Sequence, residues 1–159
     1  MPGPTYTLIS TTTLTSSTLG VTFSSIPQTY RDLVLVIDGT SNSSEFIPYL
    51  INGNITGASA NTVHTLGNGS AAQSTTSNPY GPYVSTSKFV IVSQFLDYST
   101  TDKFKPILHR SDVAGDRTIM SFTRNNSTSA ITSIKINDSY WSGATFLSGT
   151  VLSLYGIEG

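Results

Sequence analysis

A chain of 159 residues, 37% hydrophobic and only 11% charged, is long enough for one domain with a core of its own, and its charged share falls well below the roughly one quarter usual in soluble proteins. A net charge of -1 without any block of like charges excludes an electrostatic nucleic-acid binder, which needs clustered Lys and Arg. The absence of cysteine excludes disulfides and thiolate zinc sites.

The abundance of Ser, Thr and Asn disfavours helix interiors, and Thr, Val, Ile, Tyr and Phe favour strands. Pro2 and Pro4 predict an extended arm over residues 1–6, since proline fixes φ and biases its predecessor away from helix. The start carries neither a basic segment nor a long apolar one, so no signal peptide is expected, and no apolar run approaches the roughly 20 residues of a membrane span. "TYTLIS" alternates as a strand, and "LGVTF" follows a Ser/Thr-rich connection. "SSIPQTY" is a turn broken by Pro27. "RDLVLVID" (31–38) has five apolar residues in a row and predicts a strand covered on both faces. "FIPYLING" (46–53) carries Pro48, which predicts an edge or a bulge, and "NGN" at 52–54 a turn.

Residues 67–87 read as a long loop of Gly, Pro and Ser with Tyr80 and Tyr83 in it. Strands resume with "KFVIVSQFL" (88–96), "FKPILHR" (104–110), "RTIMSFT" (117–123), "AITSIKI" (130–136) and "TVLSLYGI" (150–157). Gly156 and Gly159 are expected to mark a bend and the exit of the chain. No segment has a sustained 3.6-residue apolar period. The expectation is an all-β, jelly-roll-like β-sandwich of about ten short strands, a single domain over residues 7–159 behind the arm. A last strand that is apolar to its end belongs in a core sheet rather than in a frayed tail.

No constellation of residues specifies chemistry. His64 and His109 are the only histidines. Ser and Asp are so frequent that their co-occurrence with either carries no weight, and the G-x-S-x-G elbow is absent. Glu45 and Glu158 are the only glutamates and both look peripheral, which leaves no matched pair for glycoside hydrolysis. "DVAGD" (112–116) reads as a tight turn rather than a calcium loop. No catalytic residue, metal or cofactor is expected. The expected contact residues are Pro2, Pro4 and Tyr6 in the arm, Tyr80 and Tyr83 in a proline-stiffened loop, and Tyr140 and Trp141 in "SYWSGATF". For Trp141, stacking on a ligand and plugging the end of the sandwich stand as equal readings.

Several stretches, in order, resemble a group of bacteriophage virion proteins. "GTVLSLYGI" (149–157) is similar to their ending "GSTFSLYGI", and "SSIPQTYRDLVLVIDG" (24–39) to their "FSSIPATYTDLVLV". "DYSTTDKFKPILHR" (97–110) resembles "NYSNTTTYKPVLSR", "STSAITSIKI" (127–136) resembles "STAAITSITL", and "LGNGSAAQS" (66–74) is close to an L-x-G-x-G-S-A-x-S loop. The matches run from about Thr5 to Ile157. A Trp-Arg pair common in the group before "STSAITSI" is absent here, where Thr123-Arg124-Asn125-Asn126 stands.

The resemblance implies a virion structural protein, made in the bacterial cytoplasm and carried on the virion surface. Two roles stay open. One is a capsid decoration or cement protein bound to the major capsid protein and stabilising the outer capsid. The alternative is a tail-fibre or spike module that binds a host-surface glycan. Length favours the first, because a fibre protein also carries an attachment domain and a shaft. The resemblance and the low charge together point to self-association, expected as a homotrimer. Neither nucleic acid nor membrane insertion is expected, and the mode of action is occupancy rather than turnover.

Overall fold

A computed structural model describes residues 5–55, 62–67, 72–76, 80–139 and 142–159, with backbone alone at 55, 62–64, 66, 72–76 and 80. Among the described residues there is no helix. The strands are β1 (Tyr6–Thr13), β2 (Val21–Phe23), β3 (Asp32–Gly39), β4 (Glu45–Ile51), β5 (Asn54–Ile55), β6 (Thr62–Gly67) and β7 (Ala72–Thr76). They continue with β8 (Tyr80–Val84), β9 (Phe89–Phe95), β10 (Lys105–Val113), β11 (Thr118–Asn125), β12 (Ile134–Ile136) and β13 (Val151–Ile157). Ten of them have five residues or more; β2, β5 and β12 are short.

The strands form a two-sheet antiparallel sandwich. The larger sheet has the order β1-β13-β3-β9-β10-β11-β6-β7, and the smaller runs β2-β12-β4-β5 with β8 also on β4. Alternation explains the layering, because successive side chains of a strand point to opposite faces. Leu33, Leu35 and Ile37 of β3, Phe89, Ile91 and Phe95 of β9, and Leu152 and Leu154 of β13 fill the inner face of the large sheet. Phe23, Ile47, Tyr49, Ile51, Ile134 and Ile136 meet them from the small sheet. Each fully buried side chain of this size contributes about 1.5–3 kcal/mol relative to exposure.

Strand β13 is interior to the large sheet. It pairs with β1 from Tyr6↔Ile157 to Thr13↔Val151 and with β3 from Ile157↔Asp32 to Val151↔Asp38. The apolar ending is therefore a core strand with both of its edges hydrogen-bonded. Gly156 does not bend it, contrary to expectation. It is paired on both sides, with Thr7 and Leu33, beneath the ring of Tyr30, and a Cβ there would lie 2.2 Å from Tyr30 Cγ. Tyr6 is not arm but the first residue of β1, because Glu158 N–H to Thr5 C=O carries the ladder to that end of the strand. Pro2 and Pro4 lie outside the described residues.

Two other expectations change. The stretch 67–87 is not one loop, since β7 and β8 lie in it. The run in β3 is fully covered only on its inner face; on the outer face Val34 is buried and Val36 half-buried. Pro48 stands where the β4–β8 register shifts, as a proline that cannot donate to the ladder requires. Asn52 (φ 52°) and Gly53 (φ 76°) form the two-residue turn between β4 and β5. The Asn52 side chain also binds the neighbouring loop, accepting from Thr132 N–H at 2.8 Å and donating to Ala130 C=O at 2.7 Å.

The Tyr30–Gly156 contact generates a prediction. Gly156→Ala should lower stability by about 1–3 kcal/mol, because the added methyl has to displace a ring already packed there. In a double-mutant cycle with Tyr30→Ala, measured by denaturant unfolding, the two losses should add to less than their sum. Strict additivity would show that the ring does not hold the glycine position.

Candidate contact surface and the buried polar row

The inner face of the large sheet is not wholly apolar. Ser93 of β9, His109 of β10 and Ser121 of β11 are cross-strand partners in one row, and the register continues to His64 of β6. Ser93 Oγ lies 2.8 Å from His109 Nδ1 and 2.9 Å from the hydroxyl of Tyr49, which crosses from the small sheet. The Tyr49 ring meets the His109 imidazole edge-on at 5.1 Å and stacks on Phe95 at 5.9 Å. Strand β8 closes over the row. Ser121 Oγ donates to Gly81 C=O at 3.1 Å, and Tyr83 N–H donates to Ser111 Oγ at 2.9 Å. A Cβ at Gly81 would approach His109 Nε2 at 3.1 Å, a tight contact to which the imidazole would have to yield.

A serine bonded to a histidine is the pairing that nucleophilic catalysis uses. Here Ser93 is 0% and His109 3% exposed, so the pair is enclosed between the sheets. Its chemistry is structural: hydroxyl and imidazole join the two sheets and satisfy one another in the interior. Lys105 is likewise enclosed. Its ammonium donates to the backbone carbonyls of Thr128 and of Ser129, the latter at 3.0 Å, and so anchors the loop between β11 and β12. Among the described residues no three His, Asp or Glu side chains gather as a metal site. In "DVAGD" the carboxylates serve the β10–β11 turn: Asp112 binds Arg110 at 2.8 Å and Thr118 at 2.8 Å, and Asp116 binds Arg117 at 2.7 Å. Gly115 supplies the positive φ of 71°.

The sequence-derived contact residues are not brought together. Tyr140 and Trp141 lie outside the described residues, and Tyr80 is described by its backbone alone, opposite Pro48. Tyr83 is in a strand rather than a loop. Its half-buried ring packs edge-on against Phe46 at 5.1 Å, with the Arg117 guanidinium 5.8 Å from its centroid. Its ring makes these contacts within the chain, while its backbone binds Ser111. Tyr6 remains exposed, at the outer edge of β1.

The open surface is elsewhere, on the outer face of the large sheet. Leu8, Met120 and Phe122 are 52%, 56% and 43% exposed there. Val36, Val92, Leu108 and Tyr155 are half-buried between them. A hollow of about 230 Å³ lies among Val92, Gln94, Leu108, Arg110 and Met120. Both alternants of "RTIMSFT" are apolar, so the sequence shows a strand without showing which residues face out. Compared with protein-family models, with curated proteins and with solved structures, the chain matches none.

Burial raises the pKa of the Tyr49 phenol far above its ordinary value, the Ser93 hydrogen bond opposing, and raises that of Tyr98 in the same direction. The folded state keeps these protons where the unfolded chain releases them, above about pH 10. Stability should therefore fall as pH rises beyond about 10. Lys105 acts with the opposite sign. Burial lowers its pKa, so stability gains as pH rises through the window below its unfolded value of about 10.4. Tyr49→Phe should lower stability at neutral pH by about 1 kcal/mol and flatten the alkaline limb. Unfolding curves across alkaline pH test this, and an unchanged limb in the variant would contradict it.

Proposed function

We propose that this chain is a structural protein of a bacteriophage particle, a capsid decoration protein that sits on the outer capsid and stabilises it. The observation that carries the reading is the outer face of the eight-stranded sheet, where Leu8, Met120 and Phe122 stand exposed in a chain of low charge. An apolar face of this extent on an otherwise closed sandwich suits a protein that works by covering and being covered. The ordered resemblance to phage virion proteins from about Thr5 to Ile157 supplies the setting. The burial of Ser93 and His109 supports occupancy rather than turnover. The partners in this reading are the major capsid protein and further copies of the chain itself, and the location is the virion surface.

Particles assembled without the protein should release their DNA at a lower temperature or on chelation, and adding the purified protein back should restore resistance. Particles that keep their heat resistance but no longer adsorb to cells would overturn the decoration role. They would favour the tail-fibre alternative, in which Trp141→Ala abolishes glycan binding.

A further inference from the structure

The contact surface just described is continuous and ordered by register. Leu8, Tyr155, Val34, Gln94, Leu108 and Phe122 are successive cross-strand partners over β1, β13, β3, β9, β10 and β11. The next row on the same face reads Ser153, Val36, Val92, Arg110 and Met120. Charges on this face are paired and lie toward one end of the strands: Arg110 with Asp112 at 2.8 Å, and Lys88 with Asp38 at 3.3 Å. At the other end of the sheet stand Lys103 with Asp97 at 2.8 Å, and Arg124 over the ring of Phe104 at 5.0 Å. An apolar centre between margins of paired charge is the anatomy of a protein interface.

We propose that this face pairs with the same face of a second copy, across a twofold axis that runs along β9. The inference rests on reading the outer face as a contact surface, and it names the occupant. A twofold axis parallel to the strands lays β9 over its own copy, β10 over β3 and β11 over β13, while every residue keeps its row. Phe122 then meets Tyr155 of the second copy, Leu108 meets Val34, Val92 meets Val92, and Gln94 meets Gln94. A primary amide carries both donor and acceptor, so two facing glutamines satisfy one another. The one polar residue in the apolar row therefore sits on the axis, the position where it finds its partner in an identical copy. Self-complementarity of this kind is what an isologous contact requires.

The area is sufficient. With β6 facing β1 at the margins, and a third outward row of Asp38, Val90, Asp112 and Thr118 whose carboxylates are held by Lys88 and Arg110, seven strands about 4.8 Å apart and three rows about 6.8 Å apart cover roughly 500–600 Å² per copy. Twice that reaches the roughly 1,000 Å² of a specific interface. Sheets packed face to face stand about 10 Å apart, with their side chains interdigitated, as the two layers within one copy already do. The pairing is twofold, in place of the threefold association implied by the family resemblance.

The full chain in solution should sediment as a dimer at micromolar concentration. Phe122→Lys and Met120→Lys replace exposed side chains, so their thermal melts should stay close to that of the parent while the dimer dissociation constant rises at least tenfold. The chain has no cysteine, which gives a second readout. Gln94→Cys should be joined to its copy by a short bis-maleimide cross-linker that spans about 10 Å, the separation of facing sheets, and Thr101→Cys, in an exposed bend, should not. A monomeric or trimeric parent, or failure of Gln94→Cys to cross-link, would overturn the pairing. A monomer that still restores heat resistance to depleted particles would do so while leaving the virion reading intact.

Discussion

A hydroxyl or imidazole enclosed between two sheets has to find its hydrogen bond there, because burying it unpaired costs on the order of 1–3 kcal/mol. In this sandwich that constraint fixes how the layers meet. Tyr49 of the small sheet reaches Ser93 of the large one, Ser93 reaches His109, and the hydroxyls of Ser111 and Ser121 bind the backbone of β8. Apolar contacts alone tolerate a slide of one layer over the other. A chain of bonds with distances of 2.8 to 3.1 Å does not. The serine-rich composition thus serves the interior as well as the surface.

The same constraint explains what was legible in the sequence. β3, β9, β10 and β13 announce themselves, since β-branched and aromatic residues recur in them and their neighbours are turn-formers. β7 and β8 do not: "AQSTT" and "YGPYV" look like loop. What makes β8 a strand is tertiary. β4 pairs along its edge, and side-chain hydroxyls of the facing sheet take up Gly81 C=O and Tyr83 N–H. Local propensity does not register a partner that arrives from 28 or 40 residues away. Gly81, which in a one-dimensional reading signals a turn, lets the backbone pass close to His109. Gly156 misleads in the same way, since its missing side chain is space for Tyr30 rather than a bend. Asn52-Gly53 was readable because a two-residue turn is a local event.

The contact surface was the least legible feature. Aromatics in polar segments are the usual sequence signal for binding, and Tyr83 carries that signal while its ring packs against Phe46. Met120 and Phe122 carry none, because an apolar residue in an apolar strand is expected to be buried. Only the sheet order shows that, among the described residues, the alternate residues of β9, β10 and β11 have no sheet above them. Alternation fixes that each strand has two faces; topology decides which of them is covered.

Inner and outer faces therefore divide the work against the usual expectation. The inner face holds serines, a histidine and a lysine supplied with partners inside one copy, while the Thr123 hydroxyl and the Asn125 amide nitrogen are buried without one. The outer face holds Leu8, Met120 and Phe122, which stand exposed. Polar groups that are already satisfied add specificity to the fold without asking anything of a neighbour. Apolar groups left in water gain only when a neighbour arrives, at roughly 25 cal/mol for each Å² removed from water. With a net charge of -1 there is little repulsion for that neighbour to overcome, even when it carries the same charge. A chain so arranged is held together by its interior and keeps an apolar outer face on which a neighbour would gain.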